Sequence, residues 1–496
     1  MLRTKILCGY LCLTLLCSLT LAIPSAAQTY TVVTTFNGSD GSVPLGSLVQ
    51  GFDGNLYGTT AAGGINSGAV SGGTIFKITP QGALTTIYEF CSQSNCSDGR
   101  QPTAGLTLGT DGNFYGTTTF GGANGEGSVF RVTPQGVLKT LHSFCAQSNC
   151  PDGARPLTGL VLGDGGNFLG TTSDLTTSSA LPSFGTVFRI TPQGQLTTLH
   201  RFCSLPNCAD GRQPSGLIQV PHGNFWGTTG FSGQIGTSSG APGTIFRISG
   251  TGSFATVHTF CQQANCADGE FPSGLIQAND GNFYGTTEGG GSAGAGSVFK
   301  TTVDGVFTTI YNFCSQSNCA DGSGPRAGLT QGTEANFYGT TTSGGSRTGG
   351  TLFRLTPTGT ITVLNNFANL HQSHAAPFQA TNGSFYGTVE VLDPSTVTSF
   401  GLIYRASTGQ VPFVETVQKS GVVGSTVIIL GNHLTGATAV SIGDQVATFT
   451  IVSDTEIDAT IPIGAQGNGP IQVIGLFPIP GGEVSSLFSN LFQVFE

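Results

Sequence analysis

Charged side chains make up only 9% of this 496-residue sequence. That scarcity argues against long solvent-facing helices, which draw on Glu, Lys and Arg. Acids outnumber bases, 26 Asp and Glu against 17 Lys and Arg, for a formal charge of −9. An acidic chain is a poor partner for nucleic acid or an anionic membrane, so neither is expected. No apolar run long enough to cross a bilayer follows residue 27. No Ser-centred elbow, phosphate-binding glycine loop or His-Glu-x-x-His occurs, so hydrolase and nucleotide readings lack a motif and no cofactor is implied. Long disorder is disfavoured too, because 38% of residues are apolar.

The first residues carry Arg3 and Lys5, an apolar run from Ile6 to Ile23, then Ser25-Ala26-Ala27. That order fits a signal peptide over 1–27, cleaved before Gln28, with a membrane anchor as the rival reading. Its removal takes two cations and no acid, so −9 becomes −11. Three of the thirteen cysteines go with it, and the rest form close pairs: Cys91 with Cys96, Cys145 with Cys150, Cys203 with Cys208, Cys261 with Cys266 and Cys314 with Cys319. In an exported chain an even, paired count reads as local disulfides, and the expected address is extracellular, cell-surface or periplasmic. Zinc would need two pairs to converge, and each pair belongs to a different repeat, so no metal is expected.

Glycine is abundant, 77 residues, and one motif organises much of it. Asp111-Gly112-Asn113-Phe114-Tyr115-Gly116-Thr117-Thr118 has close copies centred on Asn55, Asn167, Asn224, Asn282, Asn336 and Ser384. Periods near 50 residues belong to propellers and arrays. In the second unit, 105–109 reads as a short strand, Asp111-Gly112-Asn113 as a tight turn and 113–118 as the returning strand. The β-branched and aromatic runs 127–132 and 137–144 supply two more. Four antiparallel strands in seven units predict an all-β chain, with a seven-bladed propeller over 28–412. Tyr30 to Phe36 copies a fourth strand, while the last unit stops after its third at Gly401-Leu402-Ile403-Tyr404-Arg405. The N-terminal strand is therefore expected to complete the last blade and remove open edges; an open solenoid is the alternative. Up-and-down order places the tight turns at one end and the Gly-rich and cysteine loops at the other. The Gly-rich loops 61–72, 119–127, 173–184, 230–242, 288–296, 342–350 and 389–400 vary most, which marks their end as the candidate binding face.

Through D-G-N-F-Y-G-T-T and G-T-V-F-K/R-x-T-P-x-G, these units resemble the GloVer-type tandem repeats of secreted bacterial proteins. Six copies match well and the seventh, Asn382-Gly383-Ser384-Phe385-Tyr386-Gly387-Thr388-Val389, is degenerate. The resemblance implies an exported or surface protein and carries over no catalytic residue. From about Phe413 a new pattern begins with Ser420-Gly421-Val422-Val423-Gly424 and Thr426-Val427-Ile428-Ile429-Leu430. Residues 413–496 resemble an IPT/TIG domain, a small immunoglobulin-like β-sandwich, with a departure around Gly443-Asp444. Alternating short strands over this length point to a sandwich independently.

One position is basic in every unit: Lys77, Arg131, Arg189, Arg247, Lys300, Arg354 and Arg405. It reads either as a cationic ring facing a channel or as a duplicated ion pair or solvated strand tip; recurrence itself argues against catalysis, which needs one asymmetric cluster. Asp98, Asp152, Asp210, Asp268 and Asp321 each precede Gly and read as turn formers rather than calcium ligands. His142, His200 and His258 occupy a position that is Tyr88 or Tyr311 elsewhere, which favours packing, and Trp226 stands in a Tyr slot of the core. His371 and His374 are a metal pair only if a third ligand joins them. Were the protein an enzyme, the nonrepeating acids Glu126, Asp174, Glu270 and Glu288 are the candidates, as paired carboxylates for glycoside cleavage. The preferred expectation is an exported, non-catalytic binding or adhesion protein contacting a glycan or protein through its loop face, with the sandwich as spacer or docking module. The alternatives are a carbohydrate-active enzyme on the same propeller and a structural envelope component, and fold alone decides none of them.

Overall fold

The computed structural model describes residues 28–65, 72–173, 184–220, 223–231, 242–393, 398–479 and 482–495. Residues 1–27, the expected signal peptide, lie outside them. The chain is all-β, a seven-bladed propeller followed by a curled C-terminal sheet. Blade 2 is built from Thr107–Leu108, Phe114–Thr118, Ser128–Val132 and Leu138–Ser143, each paired antiparallel to the next. These spans fall within two residues of the expected ones at every end.

The repeated motif is explained residue by residue by contacts within and between blades. Phe114 stacks on Tyr57 of the preceding blade, ring centroids 4.1 Å apart, and Tyr115 stacks on Phe168 of the following blade at 4.0 Å. Trp226–Phe283, Tyr284–Phe337 and Tyr338–Phe385 continue the zipper at 4.0, 4.2 and 3.9 Å. Such pairs add about 0.5–1.5 kcal/mol beyond the area they bury. The Tyr115 hydroxyl donates to Asp111 at 2.9 Å, and the Asn113 amide donates to the same carboxylate at 2.7 Å, tying the turn to its strand. Gly116 is required because a Cβ there would lie 2.5 Å from the Phe130 ring of the third strand. Thr117 donates to the Thr158 carbonyl of the next blade at 3.0 Å, and Thr118 bonds Ser128 across the sheet at 2.8 Å.

The ring closes with the N-terminal strand. Thr29–Phe36 pairs antiparallel with Thr398–Ser407 as the outermost strand of blade 7. On the inner side Thr388 donates to the Gly46 carbonyl at 3.2 Å, and Gln50 exchanges hydrogen bonds with Thr381. Blade 7 departs from expectation in one respect. Most of 389–400 is not a Gly-rich loop, because Phe385–Asp393 and Thr398–Ser407 extend as a paired ribbon. The reason is composition: Val389, Val391 and Phe400 carry the β-branched and aromatic character of a strand.

The C-terminal residues form eight strands in one curled sheet around Val427, Ile429, Val440, Ile457, Val473 and Phe492. Its departure from the family pattern has a local cause. Gly443 and Asp444 both adopt positive φ, 55° and 60°, as the two-residue turn between Ile442 and Gln445 requires.

Candidate binding faces at the two ends of the propeller

The tight-turn end is covered. Ile428 and Leu430 of the C-terminal domain share an apolar cluster with Tyr57, Leu108 and Phe114 of blades 1 and 2, while Ile429 between them faces its own domain's core. Thr455 donates to the Phe52 carbonyl, Asn432 to Thr381 at 2.7 Å, and Ser420 to Asp164. Phe52, Thr381 and Asp164 all belong to inner hairpin turns, so the domain docks on the propeller instead of standing away as a spacer. Blade 3 is adapted for this contact. Leu169 replaces the motif tyrosine there, and the acid sits one residue earlier, as Asp164, where it also accepts from Gln219 of blade 4.

The opposite end carries the cysteine loops. All ten cysteines among the described residues pair locally, as expected: Cys91 is bonded to Cys96, Cys145 to Cys150, Cys203 to Cys208, Cys261 to Cys266 and Cys314 to Cys319. The second cysteine of each pair, Cys96, Cys150, Cys208, Cys266 or Cys319, holds positive φ between 42° and 52°. Its carbonyl accepts the N–H of the glycine three residues on, at 2.8–2.9 Å, which closes the turn that carries the intervening aspartate. Each loop is then fastened by that aspartate. Buried Asp98 accepts from the Tyr88 hydroxyl at 2.8 Å and from the Ser92 and Gln93 backbone N–H groups at 3.0 and 3.3 Å. In blades 2 to 4 histidine takes the tyrosine's place: His142–Asp152 at 2.8 Å, His200–Asp210 at 3.1 Å and His258–Asp268 at 3.4 Å. Burial alone would push the Asp210 carboxyl up, but bonds from His200, Ser204 and Leu205 hold it below the usual carboxylate range. For His258, burial prevails over Asp268 and lowers the imidazole pKa.

Between each aspartate and the inner strand lies a feature that repeats on a strained backbone. Val43, Gln101, Arg155, Gln213 and Phe271 all hold positive φ, from 53° to 58°, immediately before a proline, and Gly324 does the same at 64°. Non-glycine residues pay strain at such angles unless the surroundings hold them there. Here the hold is a pair of backbone bonds. Gln101 donates to the Gly72 carbonyl at 2.8 Å and accepts from Thr119 N at 3.1 Å; Arg155 does the same with Glu126 and Ser173 at 2.8 and 3.2 Å. A fixed backbone ring thus presents side chains of different chemistry at the loop end of the axis. Aromatic and guanidinium groups gather beside it: Arg100 and Arg155 lie over Phe120 at 5.0 and 5.1 Å, and Arg212 lies over Phe231 at 4.9 Å. The Arg212 Nε is buried without a hydrogen-bond partner among the described residues, and burial lowers its pKa.

The family model for the Gloeobacter/Verrucomicrobia repeat matches residues 20–180, 66–267 and 234–441. The chain belongs to this repeat family. An IPT/TIG domain model matches 412–475. No curated protein matches the chain in sequence. Among solved structures, a luciferin-regenerating enzyme is 12% identical, with 77% of this chain and 95% of that one covered and a TM-score of 0.39. The GH93 alpha-L-arabinofuranosidase of Fusarium graminearum, solved with arabinobiose, is 11% identical over 77% and 99% of the two chains, TM-score 0.40. The alpha-L-arabinanase of Penicillium chrysogenum, also with arabinobiose, is 10% identical over 76% and 98%, TM-score 0.37. Likenesses this distant carry no chemistry across.

In this member of the repeat family the seven recurrent cations do not face the axis. They stand on the third strand opposite the motif aromatic, as in Tyr57↔Lys77, Tyr115↔Arg131, Trp226↔Arg247 and Tyr386↔Arg405, with Arg189 and Arg354 in the same register. Lys300 Nζ reaches Asp280 at 3.0 Å and lies over Tyr284. Asp280 is held down to about 2: burial opposes this, but bonds from Asn282, Tyr284 and Lys300 prevail. Of the four acids, the three among the described residues do not converge. Glu126 pairs with Arg155 at 2.9 Å in blade 2, and Glu288 with Arg326 at 2.7 Å in blade 5. Glu270 lies against Gly289, on the face of that strand opposite to Glu288. Asp174 lies outside the described residues. His374 bonds Glu390 at 3.4 Å, and among the described residues no group of three or more metal-ligating side chains forms. Trp226 is buried. The pre-proline ring is absent from the sequence expectations, although its signal, Asp-Gly followed at fixed distance by X-Pro, is present in the repeats.

Proposed function

We propose that this protein is an exported, non-catalytic binding protein whose loop end contacts a glycan or protein, and that the ligand is acidic. The observation that carries this reading is the rigid pre-proline ring with chemically varied side chains, beside Arg100 and Arg212, cations with no acidic partner among the described residues, each stacked on a phenylalanine. A desolvated guanidinium over an aromatic face suits a carboxylate-bearing ligand, planar to the arginine and apolar to the ring. The C-terminal domain docks at the other end, so the loop end is taken as the binding face. The enzyme alternative is not favoured, since Glu126 and Glu288 are each neutralised by arginine and the described acids do not converge.

The test is a glycan-array assay on residues 28–496, with soluble products followed by mass spectrometry. Retention of acidic glycans without cleavage, weakened about tenfold or more in Arg100→Ala/Arg212→Ala, is the expected outcome. Cleavage products would overturn the non-catalytic reading, and retention indifferent to both arginines would overturn the assignment of the face.

A further inference from the structure

A cavity of about 570 Å³ lies on the axis between the inner strands and the C-terminal domain. It belongs to the tight-turn end. Its walls begin one residue beyond Gly105, Gly159, Gly216 and Gly328, and in blades 1–2 and 5–6 these glycines let neighbouring inner strands touch: a Cβ on Gly46 would lie 2.4 Å from Gly105 N, and one on Gly274 2.9 Å from Gly328. The cavity is thus separate from the loop end, and its role does not rest on the acidic-ligand function proposed for that end.

Its lining is specific in chemistry. The inner strands contribute apolar walls, aliphatic at Leu106, Val161, Ile218 and Ile276 and aromatic at Phe378. Each inner strand has a neighbour on one side only, so its other edge turns backbone donors and acceptors toward the axis. The glutamines of these strands are already engaged; Gln331, for instance, accepts from Asn279 N at 2.9 Å. The unspent polar groups come from the C-terminal domain. Asn468 and Gln493 are direct cross-strand partners on one face, Asn490 stands nearby, and the side chains of Asn468 and Asn490 make no hydrogen bond among the described residues. The Gln493 Oε1 is buried without a partner among them. The charged lining groups, Glu415 and Lys419, pair with each other at 3.1 Å. Lys419 and Asn468 are exposed, so the lining reaches the surface there.

From this we infer that the chamber is a second binding site, for a short neutral oligosaccharide, and that the C-terminal domain forms its polar wall. Carboxamides and strand edges offer donors and acceptors together, as hydroxyl pairs need, and aliphatic walls match the C–H faces of sugar rings. The volume lies within the range of small-molecule sites. An unpartnered buried carboxamide oxygen is costly until a donor arrives, and a sugar hydroxyl supplies one.

The experiment is isothermal titration calorimetry of residues 28–496 with maltotriose, cellotriose, xylotriose and chitotriose, and with trigalacturonate as the charged comparison. At least one neutral trisaccharide is expected to bind, and Asn468→Ala/Gln493→Leu to weaken it tenfold or more with an unchanged melting temperature. Val161→Phe places in blade 3 the side chain blade 7 carries at Phe378; it narrows the chamber, leaves the fold intact and weakens binding tenfold or more. Arg100→Ala/Arg212→Ala leaves trisaccharide affinity unchanged. The inference is overturned if no neutral trisaccharide binds, if binding survives both chamber variants, or if trigalacturonate binds through the same amides as tightly.

Discussion

Tyr404→Phe should make this protein more stable. Six blades place phenylalanine in the third strand over the motif glycine, at Phe76, Phe130, Phe188, Phe246, Phe299 and Phe353, and blade 7 alone places a tyrosine. That residue is fully buried, and its hydroxyl has no hydrogen-bond partner among the described residues. Burial pushes its pKa far up, with Tyr30 adding to the effect. The hydroxyl is pressed against the motif strand, since a Cβ on Gly387 would meet it at 2.3 Å. An orphaned buried hydroxyl costs about 1–3 kcal/mol, and deletion keeps the ring that stacks on Tyr30 at 5.3 Å. The expected gain is about 1 kcal/mol, at the low end because the unfolded chain also loses a solvated hydroxyl. Urea unfolding followed by Trp226, the single tryptophan, reports it as a higher midpoint at unchanged slope. Since blade 7 holds the clasp, the gain should also slow proteolysis after Gln28. A midpoint equal to or below that of the parent would refute the reasoning.

Gly116→Ala should destabilise by about 1–3 kcal/mol, the usual range for overpacking, while leaving ligand retention on the array unchanged. Tyr284→Phe keeps the stack on Phe337 but removes a bond to Asp280, costing about 1–2 kcal/mol in urea unfolding at pH 7 and less near pH 2, where that carboxylate protonates. Because burial lowers the His258 pKa, the unfolded chain takes up its proton at higher pH. Its contribution is complete above the ordinary histidine value of 6.5 and is lost as pH falls through the lower folded value; thermal melts of His258→Tyr across pH 4 to 8 should show a flatter acid limb. Replacing Ile428 and Leu430 together by alanine should loosen the domain contact by roughly 2–4 kcal/mol, read as new protease cleavage near residues 405–415, and should remove trisaccharide binding with it.

The architecture was legible in the sequence because duplication repeats each physical requirement. Tyrosine and the turn acid occur together at Tyr57 and Asp53, Tyr115 and Asp111, Tyr284 and Asp280, and Tyr338 and Glu334; where Leu169 or Trp226 replaces the tyrosine the turn position is Gly165 or His222. The partnership of the fourth-strand Tyr or His with the aspartate beyond the cysteine loop was also written there, as Tyr88 with Asp98 and His200 with Asp210 at constant spacing. Taken separately, the two residue sets suggest only packing and turns. The docking of the C-terminal domain was not legible, because Ile428 and Leu430 alternate with core residues in a strand that would look the same with either face in water. Nor could sequence show that Glu126 and Glu288 are spent on Arg155 and Arg326, since those partners lie 29 and 38 residues away.

The repeated motif is assigned to the scaffold and the loop end is proposed as the binding face, and hydrogen exchange tests that division most directly. Residues 28–496 would be compared with and without an acidic glycan retained on the array. Added protection is predicted at 100–103, 154–157, 212–215 and 270–273, with the motif turns at 53–55, 111–113 and 280–282 unchanged. Protection confined to those turns, or none at the pre-proline ring, would contradict the division.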